Sequence, residues 1–374
     1  MNINVLLAAA ASSTTPLAVV DETVMCANIA AMQALADKAR AALRPHAKTH
    51  KSAHVARLQL QAGARGLTVA TLREAEYFAQ MGAEDLLLVH PPVGVPKISR
   101  LASLGERVPR LTVAVDSLEA AMQVPQTVGL LWEVDTGHHR LGTLPGPPTV
   151  EAVRRLVNHV GIERFKGLLT FPGHSYQEPD VEGRRAIAYQ EIALLQETAD
   201  LLRKHQIEVY ELSIGSTPTA GFAPEVRHMT EMRPGSYVYG DANQVTLESQ
   251  SLDECALGIV ATVVSTPARD RAVIDAGTKA LSVDARVPGL SGFGIVLDHP
   301  GVILERLSEE HGILVSEMDT GLHIGDRVIV IPVHCCTTIN LHEQVLMVST
   351  EGTATWNEVG ARGWQPALRH NRRP

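Results

Sequence analysis

Short apolar runs alternate with amphipathic stretches from Ala41 to about Gly240, and this alternation constrains the fold more than any other feature of the chain. In the amphipathic stretches, apolar residues recur three and four positions apart, which is typical of helices packed on one face. Strands that alternate with such helices predict βαβ units around a parallel sheet. The predicted strands include the apolar runs 66–70, 86–90, 111–115, 130–134, 167–171 and 211–214.

The number of these units indicates how the sheet is arranged. About eight units fit into about 200 residues when Arg44–His46 is the first strand and Gly235–Tyr239 is the last. Eight parallel strands with their helices close naturally into a (β/α)8 barrel. An open, doubly wound sheet is the alternative, but no Gly-x-Gly-x-x-Gly motif opens a helix in this sequence. We therefore predict an α/β fold with a TIM-like barrel.

The pattern of residues in the sequence changes after about Thr246. Short β-branched runs follow one another there with little helical periodicity, and Gly, Pro and Asp separate them, which indicates a β-rich second domain. We predict a barrel over residues 16–246 and a β-rich C-terminal domain over residues 247–374, with residues 1–15 as a tail packed on it. The β-branched runs are 259–264, 272–274, 327–331 and 345–348.

Composition argues against some partners. The net charge of −8 disfavours nucleic acid, since phosphate binding needs a basic face. No apolar run is long enough to span a bilayer, so no membrane partner is expected. Two of the four cysteines are adjacent and the others are far away, which is not a disulfide framework and favours a reducing cytoplasm. The cysteines are Cys26, Cys255, Cys335 and Cys336.

A lysine-containing segment, Arg-Pro-His-Ala-Lys-Thr-His-Lys at residues 44–51, follows the first predicted strand. The carboxyl ends of barrel strands form the active-site face. Lys48 is therefore placed where a Schiff-base lysine is needed. A basic loop at a strand end, without catalytic function, is the alternative interpretation.

His334, Cys335 and Cys336 follow the predicted strand at 327–331. On a strand, residues i and i+2 project to the same face, so His334 and Cys336 can reach one divalent ion while Cys335 points away. A nitrogen and a thiolate suit zinc, and two protein ligands leave positions for water or substrate. The alternative is a buried cysteine pair beside a structural histidine.

The segment Ser-Ile-Gly-Ser-Thr-Pro-Thr at residues 213–219 follows a late barrel strand. Its backbone N–H groups and hydroxyls can hold a phosphate, and late βα loops are the usual phosphate site of such barrels. A tight turn with an N-cap is the alternative. Polar residues at 135–140, 173–176 and 234–237 follow other strands and would meet at the same rim.

The lysine segment, Gly-Ser-Thr-Pro-Thr after a late strand and His-x-Cys near the end resemble, in that order, the D-serine dehydratase and D-threonine aldolase family. The resemblance runs over roughly residues 16–346. That family has the alanine-racemase-like barrel of fold type III enzymes that use pyridoxal 5′-phosphate (PLP). The resemblance implies that Lys48 carries PLP as a Schiff base, that the second domain lies across the barrel mouth, and that a homodimer completes the site.

The resemblance also implies roles for individual residues. Arg140 would approach the ring of the cofactor or its phenolic oxygen, and Tyr176 would lie near the pyridine nitrogen. His334 and Cys336 would bind a divalent metal, with zinc preferred over manganese or magnesium. The phosphate would be held by Gly215, Ser216, Thr217, Gly235, Ser236 and Tyr237.

The implied activity is that of a lyase acting on small D-β-hydroxy amino acids. If Lys48 removes the α-proton, hydroxide leaves and a 2-oxo acid and ammonia follow. If a base deprotonates the hydroxyl, the Cα–Cβ bond breaks and glycine and an aldehyde follow. Cys336 favours a dehydratase of the D-serine or 3-hydroxy-D-aspartate type, whereas 337–341 resembles the aldolases.

Other outcomes stay open at this point. Phe171 stands where some members of the family have a histidine, and His174 is the candidate to replace that histidine in catalysis. An amino-acid racemase would need a base on each face of the substrate and no metal. A non-catalytic PLP-binding barrel would lack the second domain, so the β-rich region argues against it.

Overall fold

A computed structural model describes residues 1–365 of the chain, which form two sheets. The strands are β1 Leu17–Asp21, β2 Ala42–Leu43, β3 Leu67–Val69, β4 Asp85–Leu88, β5 Arg110–Val115, β6 Gly129–Glu133, β7 Phe165–Leu169, β8 Glu211–Ile214, β9 Glu231–Met232, β10 Leu257–Ala268, β11 Arg271–Ile274, β12 Gly294–Val296, β13 Val302–Leu307, β14 Gly312–Ser316, β15 Arg327–Pro332, β16 Gln344–Val348 and β17 Ala354–Glu358. The α-helices are α1 Ile3–Ala9, α2 Glu22–Ala39, α3 Ala53–Gln61, α4 Leu72–Gln80, α5 Val95–Gly105, α6 Leu118–Gln123, α7 Pro147–Val160, α8 Val181–Lys204, α9 Thr217–Ala220, α10 Ala242–Thr246, α11 Thr278–Leu281 and α12 Cys335–Ile339.

The first sheet is the predicted barrel. Its eight strands, β2 to β9, are all parallel and lie in the order 2-9-8-7-6-5-4-3. A parallel bridge between His46, just after β2, and Thr68 in β3 closes the sheet on itself. Two backbone hydrogen bonds support the closure, from Arg65 N to Leu43 O and from Thr68 N to Pro45 O. The predicted α/β barrel is confirmed.

An apolar layer fills the middle of the barrel, with one residue from each of four neighbouring strands. At the amino ends of the strands, Arg44 is buried between two carboxylates, with its Nε 2.8 Å from Glu231 and its Nη2 3.2 Å from Asp85. The carboxyl ends of the strands, where the turn with Lys48 lies, are on the other side of the apolar layer. The layer consists of Leu87, Ala114, Leu131 and Leu169.

The second sheet has nine strands and is antiparallel except where β1 pairs with β16. The long strand β10 pairs with β15 on one edge and with β1 and then β11 on the other. The pairing of β10 with β11 closes six strands, β10 to β15, into a small barrel. Helix α1 packs on this domain through Leu6, and Arg327 donates hydrogen bonds to the carbonyl oxygens of Ala10 and Ser13.

Three sequence-based assignments are wrong. Residues 17–21, assigned to the barrel, form β1 of the second sheet, because β10 and β16 pair with the two edges of this strand. The last barrel strand is β9; residues 236–238 form a 3-10 turn, in which Tyr237 N donates to Thr217 Oγ1. His334 caps α12, so the His-x-Cys pair does not lie on a strand.

Residues 366–374 of the predicted second domain lie outside the described part of the chain. Within residues 1–365, no helix has both the length and the apolar character needed to cross a membrane.

Candidate active site

The lysine segment forms a tight turn at the carboxyl end of β2, with Lys48 in the 3-10 turn Ala47–Thr49. His50 fixes this turn: its Nδ1 accepts a hydrogen bond from Ser52 N at 3.1 Å, and its Nε2 lies 3.2 Å from Gln59 Oε1 on α3. Burial lowers the pKa of His50 to about 4, so the ring is neutral and can accept from the backbone. The turn is thus attached to a helix rather than left as a free loop.

The two lysines of the segment have different surroundings. Lys51 Nζ lies 3.0 Å from the buried carboxylate of Glu74 and forms an ion pair with it. Lys48 Nζ has no ion-pair partner among the described residues and lies 5.9 Å from the centre of the Phe171 ring. Of the two, Lys48 is therefore the amine that faces open space.

Lys48 lines a cavity of about 330 Å³ at the carboxyl ends of the barrel strands, which we name the ring cavity. Its volume is that of a small-ligand site. Apolar and aromatic groups form part of its wall, and the guanidinium of Arg140 lies 5.0 Å from the centre of the Phe171 ring. A flat, anionic cofactor fits such a wall. Besides these residues, the cavity is lined by His46, His90, Glu133 and Arg233.

The loops 215–217 and 235–237 present hydroxyl and backbone N–H groups that hydrogen-bond mainly to one another. We name these two loops the cradle. Thr217 Oγ1 accepts hydrogen bonds from Ser236 Oγ at 3.1 Å and from Tyr237 N at 3.3 Å. Ser216 caps α9, and Gly215 before it has φ +96°, in the region that favours glycine. Such buried donors without stronger partners can be recruited by a phosphate.

The cradle touches the lysine turn at Gly235. A Cβ at Gly235 would lie only 2.8 Å from Thr49 Oγ1 and 3.1 Å from His46 Cβ. The absence of a side chain at Gly235 therefore allows the loop after β9 to approach the turn that carries Lys48. This contact places the cradle directly beside the turn that carries Lys48.

The two predicted tyrosines are placed differently. Tyr176 OH lies 3.5 Å from both Ser236 Oγ and Gln244 Nε2, and burial raises its pKa, so it remains a protonated donor. The Tyr237 ring belongs to the core of the second domain, and its OH accepts from Gln59 Nε2 at 2.9 Å. Only the backbone N–H of Tyr237 faces the cradle.

His334 and Cys336 line a second cavity of about 580 Å³, which we name the metal cavity. Asp241 accepts a hydrogen bond from Cys335 N at 3.0 Å and lies 3.6 Å from His334 Nδ1, which helps to orient this ring. Cys335 is buried in the core of the second domain. Lys48 and Ala70 line both cavities, so the lysine stands at the boundary between them.

The electrostatics of this pair suit a metal. A hydrogen bond from Cys335 and the cations of His334 and Lys48 lower the pKa of Cys336 well below its ordinary value despite burial. Burial opposes the charged form of His334, but the neighbouring Cys336 thiolate raises its pKa to about 9. A nitrogen and a thiolate that face a cavity fit zinc with open positions. Within residues 1–365 no group of three or more candidate ligands forms.

His174 lines neither cavity. It lies in a 3-10 turn, its ring comes within 3.2 Å of the position of a Cβ on Gly137, and burial lowers its pKa. Its catalytic role stays a prediction without a supporting contact.

Several residues of the site were missed by sequence reasoning, namely Glu133, Asp241 and Gln244. A charged residue that ends an apolar strand is a signal that could have identified Glu133. Asp241 depends on a contact between the two domains, with Cys335 N, and Gln244 depends on contacts with Ser236 and Tyr176. The local pattern carries no sign of these contacts.

Comparison with known proteins agrees with this geometry. Residues 20–243 match the family model described as "Alanine racemase, N-terminal domain", and residues 256–348 match the one described as "Putative serine dehydratase domain". D-threo-3-hydroxyaspartate dehydratase of Delftia sp. (strain HT23) is 34% identical over 375 residues, which cover 94% of this chain and 98% of that protein. D-threonine aldolase of Arthrobacter sp. is 31% identical and covers 94% of this chain and 93% of that protein.

The solved structure of the Delftia dehydratase has a TM-score of 0.86 at 33% identity and covers 94% of this chain and 99% of that chain. Variants of it with a histidine or a cysteine replaced by alanine have also been solved, and the cysteine variant is described as the metal-free form. The two replaced residues stand two positions apart, as His334 and Cys336 do in this chain.

Proposed function

Since the chain belongs to the family of alanine-racemase-like barrel enzymes that contains D-threo-3-hydroxyaspartate dehydratase and D-threonine aldolase, we propose that it is a PLP- and divalent-metal-dependent lyase of small D-β-hydroxy-α-amino acids. The observation that carries this proposal is the position of Lys48, which lines both the ring cavity and the metal cavity. A substrate held at this lysine would lie beside the cavity that His334 and Cys336 line.

The residues divide into three tasks. Lys48 would bind the cofactor, and the cradle of Gly215, Ser216, Thr217 and Ser236, with Tyr237 N, would hold its phosphate. Arg140 and Tyr176 would contact the cofactor ring, and His334 and Cys336 would hold the metal. When bound, PLP supplies an electron sink for charge at the α-carbon, and zinc supplies a Lewis acid for the β-hydroxyl.

The chain's own groups then perform the proton transfers. The amine of Lys48, released when substrate binds, is held by its turn at the cavity boundary and can take the α-proton. Loss of hydroxide from the β-carbon and hydrolysis give a 2-oxo acid and ammonia, with the oxygen lost as hydroxide balanced by the water consumed. Asp241 keeps the His334 ring in place, and the neutral Tyr176 remains a donor.

We favour the dehydratase outcome with D-serine or 3-hydroxy-D-aspartate as substrate. Cys336 supports it, since the metal-free form of the Delftia dehydratase lacks a cysteine at the same spacing from a histidine. The second candidate is a D-threonine aldolase. It is supported by Thr337, which begins the aldolase-like segment and lines the metal cavity, and by the similarity to the Arthrobacter enzyme.

A product assay tests the proposal. The purified protein is incubated with PLP, with zinc or manganese, and with D-threonine, D-serine or 3-hydroxy-D-aspartate. We expect a 2-oxo acid and ammonia in equal amounts, and loss of both products on chelation. Glycine and an aldehyde would instead establish the aldolase and redirect the search to a base near the metal. Neither product from any of the substrates would contradict the lyase assignment.

We also propose a homodimer, as the resemblance implies, and a cytoplasmic location. The location is supported by the four cysteines, which are all free. Size-exclusion chromatography with light scattering tests the dimer, and a monomeric holoenzyme with full activity would contradict it.

A further inference from the structure

Glu133 is a buried carboxyl that the proposed mechanism does not use. It ends β6, two residues after Leu131 of the apolar layer, so the pleat of the strand sends both side chains toward the barrel interior. Glu133 is 5% exposed and lines the ring cavity. No hydrogen bond or ion pair within residues 1–365 engages its carboxylate. An unpaired carboxyl is therefore directed at the proposed cofactor site.

A buried carboxyl without a partner lowers the stability of the folded protein. Burial without a partner disfavours the ionised form. Burial is indeed the largest influence on Glu133 and raises its pKa to about 7, although the charges of Arg233 and Arg140 act in the opposite direction. A carboxyl kept in a cleft against this cost is typical of a functional group rather than of a packing residue.

Three cations surround the same cavity. Arg233 is buried, and its Nε donates to Ser213 Oγ at 2.7 Å, while its Nη2 donates to Thr170 O. Its Nη1 has no hydrogen-bond partner within the described chain. Arg140 and Lys48 both lie over the Phe171 ring, at 5.0 and 5.9 Å. Glu133 is the acidic residue that lines this cavity.

We propose, building on the PLP-binding function above, that Glu133 is a positioning residue whose ionised carboxylate offsets the charges of Arg140 and Arg233 and thereby stabilises the protonated form of the group that Lys48 carries. The carboxylate acts on the lysine nitrogen through the field of the cavity, where water is sparse and charges interact more strongly than in solvent. Neutralising it leaves three cations without an opposing charge on the wall.

The direction of the effect follows from the sign of the charges. A negative charge near a protonated nitrogen raises the pH at which the proton is lost. Removal of the Glu133 charge therefore lowers that pH, by about one unit for a charge at the far side of a small cavity. The other charged or titratable groups that face Glu133 are His46, Lys48, His90, Asp116, Asp135, Arg140 and Arg233.

The experiment compares the wild-type holoenzyme with Glu133→Gln, which keeps the shape and removes the charge. The visible absorbance of the lysine-bound cofactor is followed from pH 5 to 10. We expect the transition of Glu133→Gln about one unit below that of the wild type, and the transition of Glu133→Asp close to that of the wild type. Glu211→Gln is the matched control, since burial also raises the pKa of this carboxyl, which begins β8, pairs with Arg65 at 2.7 Å and does not line the ring cavity. Its shift should be the smaller one.

A second measurement uses the protein without cofactor. Because the pKa of Glu133 is raised on folding, the native state binds more protons than the unfolded state between about pH 4.5 and 7, and stability falls as the pH rises through that window. Glu133→Gln should therefore raise the melting temperature at pH 8 and have little effect at pH 5. An unshifted absorbance transition with a lowered melting temperature at both pH values would overturn the proposal and make Glu133 a packing residue. A wild-type protein that acquires no visible absorbance with PLP would contradict the proposed function itself, which is a distinct result.

Discussion

The close contact at Gly235 couples the cradle to the turn that carries Lys48, so a substitution there should disturb both. In Gly235→Ala, the new Cβ would lie 2.8 Å from Thr49 Oγ1, about 0.6 Å inside the distance at which ordinary contact begins. The hydroxyl cannot retreat freely, since Thr49 is fully buried and its Oγ1 already lies 3.1 Å from Cys336 Sγ. His46 blocks the other side, with Cβ and carbonyl oxygen at 3.1 and 3.2 Å. The lysine turn must therefore move away from the cradle.

The magnitude follows from the cost of overpacking. Insertion of a methyl group into a filled site costs about 1–3 kcal/mol, and a displacement of about 1 Å at a reacting group can lower the rate about 100-fold. We expect Gly235→Ala to weaken PLP binding about 5- to 150-fold, measured by titrating the apoprotein with PLP and following visible absorbance. Gly221→Ala is the matched control, because Gly221 ends the cradle helix α9 with φ −57° and open space around its Cβ position. Equal PLP affinity and turnover in the two variants would refute the reasoning.

Two further predictions concern the lysines and the base of the barrel. Lys48→Ala should abolish the visible absorbance of the bound cofactor. Lys51→Ala should retain this absorbance but lower the stability of the protein, because Glu74 is left buried without its ion-pair partner. The reverse pattern of absorbance would make Lys51 the cofactor lysine. Arg44→Met should lower the free energy of unfolding by about 3–5 kcal/mol, since it leaves the buried Glu231 without its closest cation and removes one of the cations around Asp85. Arg269→Met removes an exposed pair and should have a much smaller effect in the same denaturant titration.

The parts of the fold that could be read from the sequence are those with a local period. The predicted strand at 111–115 lies within β5, and the predicted strand at 211–214 coincides with β8, because short apolar runs between helical stretches report buried strands directly. Strand β1 could not be assigned in this way. Its two edges pair with strands about 240 and 325 positions further along the chain, and nothing within 17–21 distinguishes a barrel strand from a strand of the second sheet.

The site shows the same division between local and long-range information. The Lys48 turn and the loop at 215–217 are short segments with their own chemistry, so the sequence identified them, although their functional roles stay predictions. The His334 and Cys336 pair was identified for a reason that the structure contradicts: the residues face one cavity because His334 caps a helix, and not because a strand alternates. In this chain the N-cap position and the first turn of α12 also bring the two side chains to one cavity, so the pair was identified despite the wrong secondary structure.

Glu133 and Asp241 show what a local pattern cannot supply. Glu133 follows four residues of an apolar strand, and its importance comes from Arg233 and Lys48, which reach the cavity from two other strand ends. The role of Asp241 depends on its contact with His334, which lies more than 90 positions later in the chain. Both are carboxyls whose pKa is raised by burial, and both stand beside a residue with a proposed catalytic or metal-binding role. Loss of their charge should therefore leave the barrel folded while it alters the protonation of the groups they face. This separation of folding from function distinguishes them from Arg44, whose charge is buried at the other end of the barrel.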